Sequence, residues 1–572
     1  MNNLVKNKHS MKVTQAPVTL DLVLSDLNFE VPLYQREYSW ELEQVSDLFY
    51  DIDTADEAEG YFLGSILLYV KDADKKVMEI IDGQQRLTTI FLILFAIKNA
   101  IAGSTYGKAI EAINNLLYKR TKSLLIADTG EEPRLTTGKR DKKLFKAILK
   151  SEEIGKTNKD GRVKSHKLLI DALESFINPK IEKIKTEKGI EGVIQFANKV
   201  FSTEFIVMTA EQKSDKILLF KTLNARGIEL SQSDLIKNEV CNNPKGITEE
   251  EAVELWDDTR EILEKIKANI DIFLFHFINS QNDSLEIRKK IEEKRNIQHQ
   301  DSYPPVPEKY IFDVYDEKLK ALDKTETFLN DLKEAAEHYV EIYTPAANKV
   351  YLNGLKTLNV AKCYPLLLRG KKVLNDKNFD LLAKAIECIS FRHGIIRRDP
   401  KELEKLYYSL LTKLKSDKDI DVVIEDIKQH PSMKLEDKFK SGFCIASPKA
   451  NISKLILERI VNFHQESVSA KGDVWLEHIM PQKPKGKWLE LKESDNELYE
   501  FSLNRLGNLT LLQNKLNIGA SNRDFDVKKT EFYDKSRLNI TSDLKNYDKW
   551  DYENIDNRQD YLYELAKDIW KL

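Results

Sequence analysis

Residues 476–482 read LEHIMPQ, and residues 503–525 read LNRLGNLTLLQNKLNIGASNRDF. Strand-like pieces bracket a Pro/Lys/Gly loop, PQKPKGKW, that begins at Pro481. His478 is a candidate general base for water, and Glu477 beside it is a candidate oxygen ligand for a hard divalent ion. Successive strand residues face opposite sides of a sheet, so both can serve one centre only if the strand ends or twists there. Pro481 supplies a reason for it to end. Asn508 follows a glycine in a turn-like Leu-Gly-Asn. Asn517 lies nine positions on (517 − 508), where a helix can begin and present its amide oxygen to the ion. Oxygen ligands without a thiolate select Mg²⁺, or a similar hard ion such as Mn²⁺, over Zn²⁺. Such an ion would take up charge building on a phosphate while His478 activates water, which is the chemistry of phosphodiester hydrolysis.

A lone strand histidine is more often structural than catalytic, and asparagine-rich loops are usually turns. The joint pattern of Glu477, His478, Asn508 and Asn517 carries the argument. Between Arg505 and Arg537 there are seven basic residues and four acidic ones. Lys515, Arg523, Lys528 and Lys529 from that set are candidate DNA contacts. A solvated helix face accounts equally well for any single one of these lysines.

Three further strings stand near the N-terminus: VPLYQREYSW (31–40), IIDGQQRLTT (80–89) and FKTLNARGIELSQSDLIKN (220–238). In the second, a strand ends at Asp82-Gly83 and a helix starts at Gln84 and Gln85. Gly83 permits a tight turn. Free N–H groups at the helix start, with Arg86 in its first turn, make an anion site suited to phosphates. Gln35 and Arg36 can add amide and guanidinium donors. Asn224, Arg226 and Gly227 read as a turn, and Ser231 with Asp234 as an N-cap pair. The phosphate loop with Gly-Lys-Ser/Thr is absent. The rival reading makes Asp82 and Arg86 an ion pair that holds the fold, and Asn224 a helix cap.

The rest of the chain sets limits. Its 572 residues exceed one core and suggest two to four domains. A net charge of −4 excludes a wholly basic nucleic-acid coat, though not a locally basic cleft. The four cysteines form no C-x-x-C pair, which disfavours a zinc ribbon and fits a reducing cytoplasm. No signal peptide precedes the first strings, no membrane partner is expected, and Leu87–Ile97 is too short to span a bilayer, so it reads as a buried helix. Helices are expected at Glu41–Ile52, from Gln84 onward and near Ser231. Strands are expected at Phe62–Val70, Val77–Ile81 and 204–209. Residues 105–200 and 245–465 are helical in pattern.

The C-terminal strings resemble the HNH, or ββα-metal, nuclease family. More closely, they resemble the C-terminal nuclease domain of GmrSD-type modification-dependent restriction enzymes. By that resemblance Asn517 is the metal-site asparagine and Asn508 the one that orients the base. Glu477 stands where many relatives carry Asp, a departure that keeps the charge. The three N-terminal strings, in this order, resemble the GmrS-type domain built on a ParB/sulfiredoxin-like fold. That implies nucleoside triphosphate binding and hydrolysis around Asp82, Gly83, Gln84, Gln85 and Arg86, with Gln35, Arg36 and Asn224 as further motif positions. GTP, UTP, CTP and ATP are not distinguished. The expectation is an α+β multidomain protein: a nucleotide-binding, DNA-sensing domain (1–245), a helical linker or recognition region (246–465) and an HNH nuclease domain (466–572). The implied activity is that of an NTP-regulated type IV restriction endonuclease in phage defence. Its partner would be double-stranded DNA carrying modified bases or a phosphorothioate backbone, and a homodimer is left open. The rival from another class is a ParB-like DNA-binding regulator with a degenerate HNH module.

Overall fold

The computed structural model describes residues 11–13, 16–56, 60–119, 132–152, 163–211, 231–242, 244–294, 306–463 and 474–572. Asn224 and its turn lie outside the described residues. The molecule is mixed α and β and mostly helical. It divides into two compact units: Met1–Glu254 with Lys324–Glu326, and Leu255–Asp323 with Thr327–Leu572.

The first unit is built on a mixed sheet. Its strands, among the described residues, are β1 (Met11–Val13), β2 (Val18–Thr19), β3 (Asn28–Glu30), β4 (Phe62–Asp72) and β5 (Val77–Asp82). The short β6 (Tyr118–Lys119) and β7 (Glu132–Pro133) pair with each other, and β8 (Leu135–Thr136) and β9 (Glu204–Ala210) complete the main sheet. Its order is β1-β9-β4-β5-β3-β8, with β2 also on β9. The central hairpin β4–β5 is antiparallel, whereas β4 runs parallel to β9 and β3 parallel to β5. The expected strands at 62–70, 77–81 and 204–209 are all present, slightly extended. The two- and three-residue strands went unread because a period of two needs more residues to show.

Three helices cover this sheet: α1 (Leu42–Thr54), α2 (Gln84–Ala100) and α3 (Asn178–Phe201). Every residue of α2 from Leu87 to Ile97 is buried, so the greasiest run of the chain is a core helix as its length implied. Phe49 of α1 and Phe196 of α3 meet with ring centroids 4.7 Å apart. The N-cap pair was also legible: Ser231 Oγ accepts from the Asp234 N–H at 3.1 Å.

The second unit is helical through 463 and then adds a two-stranded antiparallel ribbon, β10 (Val474–His478) with β11 (Leu509–Gln513). Helix α4 (Asp376–Ile395) and helix α5 (Ala450–Phe463) precede the ribbon. Helix α6 (Asn496–Leu503) lies between its strands, α7 (Asn514–Ala520) follows β11 directly, and α8 (Tyr552–Ile569) closes the fold. Helix α7 packs across both strands, so the local order is strand, strand, helix.

Both faces of the ribbon contribute to buried cores, although Trp475 of β10 is exposed. Val474, Leu509 and Leu511 join a core with Cys388 and Phe391 of α4, Ile456 and Ile460 of α5, and Leu562 and Trp570. On the other face Leu512 joins Ile479, Met480, Tyr499, Tyr533 and Trp550. The boundary drawn at 466 from the change in composition therefore passes through a shared core. Phe391 and Trp570 stack with centroids 4.0 Å apart, and both are buried. Phe391→Ala should cost on the order of 3–5 kcal/mol, as truncation of a buried aromatic does. It should lower the melting temperature of the second unit although it touches none of the candidate site residues.

Candidate active site

His478 is the last residue of β10, paired in register with Leu509. Its neighbours decide its chemistry. The ring Nε2 lies 3.1 Å from Asn504 Oδ1, and the Gln482 amide nitrogen lies 3.4 Å from the same atom. An amide oxygen only accepts, so the shorter Asn504 contact puts the proton on Nε2; the Gln482 amide, itself a donor, then makes no hydrogen bond to that atom, and Nδ1 keeps a lone pair. Burial holds the imidazole below its ordinary pKa of 6.5, opposed by the Asn504 bond and assisted by the nearby Lys528 ammonium. His478 is thus a neutral imidazole at pH 7. Asn504 was not singled out from the sequence, since four asparagines crowd residues 504–517 and only the fold shows which one reaches the ring.

Asn508 is fully buried and does not touch the imidazole. Its Oδ1 accepts from the Met480 N–H at 2.8 Å and from Trp550 Nε1 at 3.1 Å. Its Nδ2 donates to Met480 O at 3.0 Å and Leu503 O at 2.8 Å. With the backbone bond from Ile479 N to Asn508 O, this clamps the turn that follows His478. All the hydrogen-bonding capacity of the amide is used, so Asn508 can act on His478 through the backbone only. Arg558 and Gln559 of α8 hold the same segment. Arg558 donates to Gly507 O and Leu509 O at 2.8 and 2.7 Å, and the Gly507 N–H donates to Gln559 Oε1 at 2.7 Å. Burial pushes the Arg558 guanidinium down to about 10. Gly507 is required: a Cβ there would come within 2.1 Å of Ile555 O.

Glu477 departs from its expected role. It points to the opposite face from His478, as strand alternation dictates, and is buried against Tyr533 and Lys528. Its Oε1 accepts from Lys528 Nζ at 2.7 Å and from Tyr533 OH at 2.9 Å. Lys528 Nζ also donates to His478 O at 2.8 Å and Ile479 O at 3.1 Å. Three acceptors match the three protons of an ammonium, so the pair is charged although burial pushes the Glu477 carboxyl up and the Lys528 amine down. The Glu477–Asn517 pair therefore does not fit a hard divalent ion, which would have to approach a carboxylate already held by an ammonium. Asn517 Oδ1 is buried without a hydrogen-bond partner, an acceptor left open, but one neutral oxygen is not an ion cage. Among the described residues no three His, Cys, Asp or Glu side chains gather to hold a metal ion.

The candidate DNA contacts separate in the same way. Lys528 is fully buried in the pair just described, so it is not a phosphate contact. Lys529 donates to Tyr547 O at 3.0 Å. Arg523 is exposed and pairs with Glu531 at 3.1 Å, and Lys515 is exposed on α7, two residues before Asn517.

In the first unit the glutamines knit two strings into one surface. Gln35 Nε2 donates to Ile80 O at 2.8 Å and Ile81 O at 3.0 Å. Gln84 donates to Arg36 O at 2.7 Å, and its Oε1 is buried without a partner. Gln85 donates to Glu37 O at 3.1 Å and accepts from Ser39 N at 3.0 Å. Gly83, at φ 96°, caps α2 as the turn requires. Arg86 is 3.4 Å from Asp82 and donates to Leu63 O and, at 2.8 Å, to Ser65 O of β4. Gly64 leaves room for it, since a Cβ there would stand 2.8 Å from Arg86 Nη1. These bonds commit Gln35, Gln85 and Arg86 to the fold rather than to a phosphate, as the ion-pair reading allowed. Arg36 is half-buried and has no ion-pair partner among the described residues. It stands with the start of α2 as what remains open to an anion.

Two family models match the chain. The N-terminal domain of the GmrSD restriction endonuclease matches residues 20–241, and the C-terminal domain of GmrSD restriction endonucleases matches residues 404–565. Together they cover about two thirds of the chain, in the order in which the strings occur. No curated protein matches. Among the described residues no helix is long and apolar enough to cross a membrane.

The clamp makes Asn508→Ala a folding variant. It strands buried partners that cost about 1–3 kcal/mol each when unpaired. The second unit should melt at a clearly lower temperature, whereas His478→Ala should leave that transition in place. Equal melting of the two variants in a thermal scan would remove the clamp from the account.

Proposed function

The chain belongs to the GmrSD restriction endonuclease family, and on that premise we propose that it hydrolyses modified foreign DNA at His478, under nucleotide control from its first unit. DNA is the substrate class of the family. The observation that carries the mechanism is the imidazole itself. It is neutral, tied at Nε2 to Asn504, and held at the end of β10 by a turn clamped through Asn508. A water between Nδ1 and a phosphodiester loses its proton to Nδ1 as its oxygen bonds to phosphorus, and the bond to the leaving oxygen breaks, that oxygen keeping the bonding pair and taking a proton from solvent. The strand–strand–helix order of β10, β11 and α7 supports an HNH reading of the centre. Lys515 on α7 supplies positive charge for the DNA backbone.

In the first unit, the start of α2 with Arg36 is the proposed nucleoside triphosphate site. Modification sensing would read glucosylated hydroxymethylcytosine or a phosphorothioate backbone. The deciding experiment is nicking and linearisation of supercoiled plasmid in three forms: unmodified, base-modified and phosphorothioated. It is run with and without each triphosphate, and in Mg²⁺, Mn²⁺ or EDTA. No cleavage under any of these conditions would favour the regulatory reading with a degenerate centre.

Four outcomes are expected. His478→Ala lowers the cleavage rate by roughly 10²–10⁴, the usual contribution of a general base. The imidazole must be unprotonated and its pKa lies below 6.5, so the acid limb of kcat/KM falls below pH 6.5. A limb above that value, read from a pH–rate profile, contradicts the environment described for His478. Arg36→Ala weakens triphosphate binding in isothermal titration while changing stability by no more than about 0.5 kcal/mol, because it breaks no described contact. Arg86→Ala destabilises the first unit.

A further inference from the structure

The ion expected between Glu477 and Asn517 has a rival already in place. Lys528 reaches Glu477 from 51 residues further along the chain, and its side chain is 0% exposed. Its ammonium makes contacts of 2.7, 2.8 and 3.1 Å to Glu477 Oε1, His478 O and Ile479 O. Those are the last two residues of β10 and the first of the turn that Asn508 clamps. Tyr533 OH takes a second bond to the same carboxylate oxygen at 2.9 Å. A positive charge in a dry site, bonded to both a carboxylate and backbone carbonyls, does structurally what a coordinated cation does: it gathers oxygen atoms from separate residues about one centre. A divalent ion arriving at Glu477 would meet the ammonium's positive charge at close range, or have to expel it. That would leave an unpaired charge in the core, which costs several kcal/mol.

We propose that Lys528 is a built-in cation: it withholds Glu477 from metal and fixes the strand end that presents His478, so any divalent ion used in cleavage is bound without Glu477. Lys528 is then a positioning residue, acting through the backbone of His478. The proposal rests on the reading of His478 as the cleavage centre, but its test does not need cleavage. Neither Tyr533 nor the carbonyls of 478 and 479 offers a second negative charge to share the carboxylate between ammonium and metal, so the two cations compete.

Mn²⁺ alone is titrated into the full chain, and free Mn²⁺ is read by its paramagnetic resonance signal. Glu477→Gln keeps an oxygen for Lys528 and removes the charge a metal would need. The wild type and Glu477→Gln should bind Mn²⁺ alike. Loss of a true ligand should weaken binding by at least the roughly 10-fold that even an outer partner of a metal site costs, and a loss of that size in Glu477→Gln overturns the proposal. Lys528→Met vacates the position, so a Glu477-dependent Mn²⁺ site should appear and should vanish in the double variant with Glu477→Gln. In cleavage, Lys528→Met should lower kcat with little change in KM for DNA, and Glu477→Gln should leave the Mn²⁺ midpoint unmoved. If Lys528→Met does not fold, the comparison of wild type with Glu477→Gln still decides, provided that a thermal scan shows Glu477→Gln folded at the temperature of the titration, since it leaves the ammonium without its counter-charge. If no variant and no wild-type sample cuts DNA, the Mn²⁺ titration stands by itself and the failure falls on the nuclease reading.

Discussion

An ammonium group removed from water must find an acceptor for each of its protons, and the acceptors around Lys528 come from the end of β10 and the turn beyond it. That requirement fixes where the strand stops. It pins the backbone of His478 from one side while Asn508 pins Met480 from the other, and Arg558 and Gln559 hold the segment from which Asn508 projects. The imidazole is the least tied group in this arrangement, with a side-chain bond described on one ring nitrogen only. Preorganisation of this kind puts rigidity in the backbone and leaves one lone pair available, which is what a base needs before substrate arrives.

The first unit uses neutral amides for a comparable purpose. Gln35, Gln84 and Gln85 each bond to main-chain groups of another string, and Arg86 ties α2 to the carbonyls of β4. A backbone surface stitched in this way exposes few of the side chains that made the motif conspicuous. Arg36 and the first turn of α2 remain at its edge.

The local signals in the sequence translated well. Period-two runs found β4, β5 and β9, an apolar run found α2, and Ser231 with Asp234 found a cap. The strings around His478 and Asn508 located the turn and the ribbon. What could not be read was partnership across long separations. Glu477 and Lys528 are 51 residues apart, and Asn508 and Trp550 are 42 apart. No spacing rule connects such pairs. Lys528 looked like a surface base because its neighbours Lys529 and Arg523 are polar, yet alternation along β10 already required Glu477 to face away from His478 and into the protein. Asn504 was hidden for the opposite reason: it lies inside the motif, among asparagines that only three-dimensional contact tells apart.

Both faces of the ribbon contribute to buried cores, and one core is closed by α8 and Trp570, which follow the strands in chain order. A growing polypeptide emerges from the ribosome in that same order. The β10–β11 ribbon therefore leaves the tunnel while Arg558, Gln559 and Trp570 are still unmade, and it has neither its straps nor its core. Chains ending between Asn517 and Tyr552 carry the whole string of catalytic candidates without the α8 scaffold that holds it.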